Sequence, residues 1–129
     1  MMMFSNVFLI LPVIFSAMYH EWLYFFFAAG LVIFSPLYHW YKFHRPNSTA
    51  FPIFMWCDTA FALGAFLYMY FYVYRYTPQE FKLLLFGSLS AVVLFFWYGR
   101  RADYDKLHPW FHIIAPIISS SILVLTHLK

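Results

Sequence analysis

Residues 51–74 read FPIFMWCDTAFALGAFLYMYFYVY, a run of 24 in which Asp58 is the only charged side chain. About 20 predominantly apolar residues suffice for a helix to cross the hydrocarbon core of a bilayer. The run is long enough, and polar segments bound it on both sides. Lys42, His44, Arg45, Asn47 and Ser48 precede it, and Arg75, Thr77, Gln79 and Glu80 follow. Nothing here alternates as barrel strands do, and open sheet edges cannot face lipid. The stretch predicts a transmembrane helix.

The rest of the chain repeats the pattern. Of 129 residues, 64% are hydrophobic, 26% aromatic and 10% charged. Soluble domains carry about 25% charged residues, and a chain this short needs polar residues to cover its large relative surface. An ordinary soluble fold is excluded. The expectation is all-α: one polytopic helical bundle of about five spans, roughly Phe4–Tyr19, Trp22–Tyr41, Phe51–Tyr74, Phe81–Tyr98 and Leu107–Leu125. His20-Glu21 reads as a tight turn between the first two. Thr77, followed by Pro78 and Glu80, reads as the N-cap of the fourth. The N-terminal run lacks a basic region and a small-residue cleavage site, so it reads as a first span and not a signal peptide. Lone Cys57 reads as a small core residue. The basic residues lie scattered in loops, as topology signals and not as a nucleic-acid surface.

Five spans fix which ends share a membrane face. One face holds the N-terminus and the loops 42–50 and 99–106, with Lys42, Arg45, Arg100, Arg101 and Lys106. The other holds Arg75, Lys82 and Lys129. The positive-inside rule puts the more basic face in the cytoplasm. The same parity gathers the polar residues of the spans. His39 and, one turn deeper, Ser35 lie near the end of span two. Asp58 lies about two turns into span three. His108 and His112 open span five, four residues apart and so on one helix face. All five fall in one layer near the basic face. Intramembrane ionisable groups are costly and usually point at a partner or a cavity.

Each residue alone has an ordinary reading: His39 as an interfacial group, His108 and His112 as anchors or caps. Their common depth points instead to a shared metal site. His44 is a loop residue and a rival ligand, His20 a turn residue and His127 a tail residue. Ser16 and His20 repeat the Ser-x-x-x-His spacing, but on the far face. Pro109 disfavours helical geometry at His108. Either the last helix starts at Pro109, with His108 as its cap, or it starts earlier, near Asp103 or Asp105. Pro116 should kink the span.

Ser35-Pro36-Leu37-Tyr38-His39, then Asp58, then His108-Pro109-Trp110-Phe111-His112 resembles a superfamily of membrane hydrolases. It comprises alkaline ceramidases, progestin and adipoQ receptors, and myomaker-like proteins. They share a Ser-x-x-x-His in one span, an Asp in the next and a His-x-x-x-His in the last. The Tyr38-His39 and Cys57-Asp58 wording is closest to the myomaker-like branch, which includes a phospholipase acting on GPI-anchored proteins. The resemblance covers most of spans two, three and five, in a chain with about two spans fewer than the family's usual seven. It implies zinc held by His39, His108 and His112, with Asp58 and Ser35 contacting the zinc-bound water. The acidic calcium-site residues of ceramidases have no counterpart before the first span.

Three neutral imidazoles leave a fourth zinc position open, the pattern of a catalytic site. The expected function is a zinc-dependent intramembrane hydrolase of a lipid amide or ester, ceramidase- or phospholipase-like, with zinc-bound water as nucleophile. Asp58 would move its proton, and Ser35 or the zinc would stabilise the oxyanion. The expected partner is a membrane lipid. The alternative is a non-enzymatic membrane protein, receptor-like or membrane-remodelling, whose zinc ties three spans together. Haem ligation by paired histidines is a third reading.

Overall fold

A computed structural model describes residues 2–128. Lys129, counted above among the basic residues, lies outside them. The elements are α1 (Met2–Ser5), a 3₁₀ helix (Asn6–Leu9), α2 (Ile10–Met18), α3 (Trp22–His44), α4 (Ala50–Tyr76), α5 (Gln79–Ala102) and α6 (Tyr104–His127). The helices α3 to α6 are each long and apolar enough to cross a membrane. They make this a multi-pass integral membrane protein and bear out the helical bundle. The expected first span is a shorter helix, with backbone that stays right-handed helical through Ser5 and Leu9.

The four long helices overrun their expected ends. Hydropathy assigns Lys42, Arg75, Arg100 and Arg101 to loops, yet each sits in the last turn of a helix. Cations there meet the unpaired carbonyls and the negative end of the helix dipole, which favours continuing the helix. Thr77 is not an N-cap. It caps the C-terminal end of α4, donating its N–H to the Val73 carbonyl at 3.4 Å, and α5 begins after Pro78. Pro fixes an extended break here that no side-chain cap is needed to enforce.

The turn after α2 does follow the sequence reading. Glu21 N–H bonds the Ser16 carbonyl at 2.8 Å and His20 N–H bonds the Ala17 carbonyl at 3.2 Å. His20 has φ 59°, so it occupies the left-handed position that closes a helix by the Schellman pattern.

Aromatic contacts fix the antiparallel register of α3 and α4. Tyr41 meets Phe54, Phe34 meets Phe61, and Tyr24 stacks on Tyr68 at 5.6 Å. Between them the two helices exchange rings for glycines: Phe61 covers Gly30 and Phe27 covers Gly64. A Cβ at either glycine would collide with the ring, so the missing side chain sets how closely the helices approach. Gly30→Leu should cost about 1–3 kcal/mol by overpacking, read as unfolding in mixed detergent micelles. Gly87→Leu, with nothing within 4 Å of its Cβ, is the control and should leave stability unchanged.

The packed core lies in one half of the bundle. Tyr24, Ala65, Met69, Tyr72, Val73, Leu85, Leu89, Ile122 and Leu123 form it, all toward the end where α4 turns into α5. His127 belongs to this end and is no loose tail. Its ring stacks on Tyr19 at 4.1 Å, and its Nδ1 lies 2.8 Å from the Leu123 carbonyl and 3.3 Å from the Tyr72 hydroxyl. Beside it, the Tyr68 hydroxyl donates to Glu21. The other half of the bundle, where α3 ends and α6 begins, is hollow.

Candidate metal centre

The hollow half holds the polar layer. Helix α6 starts at Tyr104, with Asp103 as a true N-cap accepting from Lys106 N–H at 3.3 Å. The early start decides the question posed by Pro109. Its ring lies inside the helix and is fully buried, and the cap and first turn hold the backbone despite the lost donor. His108 and His112 therefore stand one turn apart on one face, ring centroids 4.6 Å apart. His39, near the end of α3, completes a triangle at 5.2 Å from His108 and 5.0 Å from His112.

One ring nitrogen from each of the three lies within 4.8 Å of the others, and all three residues are buried. Among the described residues no hydrogen bond satisfies either nitrogen of His39 or Nδ1 of His112. Buried imidazole nitrogens without partners are expensive. A metal ion at the centre of the triangle would supply what the protein does not, so the residues fit a metal. Three imidazoles suit several divalent ions, zinc among them.

Aromatic rings fix the histidines in place. Tyr104 stacks on His108 at 4.3 Å, and Phe96 lies 5.6 Å away on the neighbouring helix. Lys42 Nζ sits 3.5 Å from the centre of the same Tyr104 ring, in reach of a cation–π attraction. Asp105 attracts the Lys42 charge and Arg100 repels it more weakly.

His108 and His112 open on a cavity of about 720 Å³ that Ser35, Tyr38, Lys42, Asp58, Arg100 and Tyr104 also line. His39 stands behind it, fully buried. The charged groups cluster at one end, and the rest of the wall is mainly apolar, with Leu31, Phe66, Met69, Leu89 and Val92. Helices α4 and α5 meet at Tyr70, which stacks on Phe86 at 6.0 Å and reaches Ser90 Oγ at 3.1 Å. Beyond that contact they part. Trp56, Leu63 and Val93 line the cavity yet are exposed, so it opens between α4 and α5 on the lipid-facing side.

Asp58 is half-buried in this cavity, near the Ser35 hydroxyl, which lines it too. Ser35 Oγ in turn lies 3.2 Å from the Asn6 side-chain amide. Asn6 is a residue that sequence reasoning passed over. The only signal was a polar pair, Ser5-Asn6, inside an apolar run. Both are buried here.

The remaining candidates fall elsewhere. His44 is helical, not a loop residue, and is exposed. It stacks on Trp40 at 4.8 Å with Nδ1 3.0 Å from the Trp40 carbonyl, and it takes no part in the triad. Ser16 bonds back to the Pro12 carbonyl at 2.5 Å within its own helix. Cys57 is half-buried, not a core residue. Neither a family model nor a curated protein nor a solved structure matches the chain.

Proposed function

We propose that the protein is a zinc-dependent intramembrane hydrolase of a lipid amide or ester, a shortened relative of the ceramidase, progestin and adipoQ receptor, and myomaker-like superfamily. The observation that carries this reading is the buried triad with unpartnered ring nitrogens, open on one cavity with Asp58 and Ser35. His39, His108 and His112 would hold the zinc, which would supply Lewis acidity toward a carbonyl and a water. The protein's own residues do the rest. Asp58 takes the proton of the attacking water and returns it to the departing amine or alcohol. The apolar wall takes the acyl chain and keeps bulk water from the scissile bond. Lys42 and Arg100 line the polar end of the cavity, where the headgroup would sit. By the positive-inside rule this end would be the cytoplasmic one.

A second reading, a non-enzymatic protein with a structural zinc, draws support from His39. It is fully buried, does not line the cavity and joins α3 to α6. The two readings part on turnover. Protein purified in detergent should carry one zinc per chain and release fatty acid from a labelled lipid panel that includes ceramides and glycerophospholipids. Zinc without turnover on any of these lipids leaves the structural reading. Absence of stoichiometric metal overturns both.

A further inference from the structure

The short first segment has a role that its length hides. At 17 residues (2–18) and 1.5–2.0 Å rise per residue it is about 27 Å long, short of the roughly 30 Å hydrocarbon core. Among the described residues it packs against α3 and α6 and no other long helix. These are the helices that carry the three histidines. Its helix tightens to 3₁₀ over Asn6–Leu9, where Asn6 meets Ser35. A 3₁₀ stretch inside a helix often marks a functional position.

Asn6 is 7% exposed and Ser35 1%. If Ser35 donates its single proton to Asn6 Oδ1, Asn6 Nδ2 stays buried without a partner. The same proton is then denied to Asp58, the other neighbour of Ser35. The two ends of an amide have nearly the same shape, and the hydrogen-bond network decides between them. With the amide turned over, Nδ2–H donates to Ser35 Oγ and the Ser35 proton passes to the Asp58 carboxylate. The turned amide leaves a carbonyl without a partner instead of an N–H, the less unfavourable of the two.

We infer that Asn6 is a positioning residue of the site: it donates to Ser35, so that Ser35 donates to Asp58. One carboxylate oxygen of Asp58 is thereby held and the other is left to face the cavity. This also assigns Ser35. Its proton is committed to Asp58, so it orients the carboxylate and is no oxyanion donor.

The inference rests on the hydrolase reading only for its kinetic consequence, and the test separates the two. The infrared carboxylate band of Asp58, identified by its loss in Asp58→Asn, reports the hydrogen bond without any turnover. Ser35→Ala and Asn6→Leu should move that band alike, and the double variant should move it no further. Each single variant should keep its zinc and lower kcat about 10–100-fold, as expected for a supporting hydrogen bond, with KM unchanged. If Asn6→Leu loses zinc through misfolding, Asn6→Ala, which adds no bulk, carries the test. A band unmoved by the Asn6 variant, or a double variant that adds the two shifts, overturns the inference. A wild type that turns over no lipid overturns the hydrolase reading and leaves the band to decide this one.

Discussion

Under the hydrolase reading, Asp58→Ala lowers lipid turnover by about 100- to 10,000-fold, the usual contribution of a positioned acid–base group, while the protein keeps its metal. Among the described residues Asp58 is the one carboxylate set into the cavity beside the triad, and it belongs to neither of the helices that hold the histidines. Its loss therefore leaves the ligand set intact. It removes the group that takes a proton when water adds to the carbonyl. Asp58→Asn should behave alike, since an amide has the shape without the basicity. Metal content measured alongside labelled fatty-acid release checks the prediction. A variant with full metal and full turnover would remove Asp58 from the chemistry and with it the proposed mechanism.

His39→Ala should abolish stoichiometric metal binding. It is the only ligand from α3, and two histidines from one turn of α6 cannot complete a catalytic zinc site, which takes three protein ligands. The stability consequence separates the readings. A structural zinc that joins α3 to α6 carries folding free energy, so the structural reading expects His39→Ala to unfold at markedly lower detergent challenge and Asp58→Ala to be nearly silent. The hydrolase reading expects turnover to vanish in His39→Ala and to fall about 100- to 10,000-fold in Asp58→Ala, with the Phe–Gly contacts of α3 and α4 still holding the bundle together. Metal analysis and unfolding on the same preparations check both.

The spans and the shared depth of His39, Asp58, His108 and His112 were legible because hydropathy and parity are coarse signals, and membrane crossing is a coarse constraint. Finer features were not. The earlier start of α6 depends on Asp103 accepting from Lys106, a contact that hydropathy ignores in a charged loop. Thr77 carries the side chain of an N-cap, but Pro78 places the new helix after it. His127 near the end of the chain gave no hint of the Tyr19 ring it meets. Asn6 escaped because a segment judged by its mean apolarity hides a single polar side chain, and its partner lies 29 residues away.

The contact between the first segment and the last helix also orders events in time. The ribosome delivers residues 2–18 before any partner for them exists, and they are too short to sit stably across the bilayer alone. Their seat between α3 and α6 forms only when residues 104–127 have been inserted. His108 and His112 arrive in the same step as that seat. A nascent chain halted before α6 holds Ser35, His39 and Asp58 with nothing to bind. The three-histidine cluster is therefore complete only once α6 has been inserted, and no ion can be held by all three histidines before then.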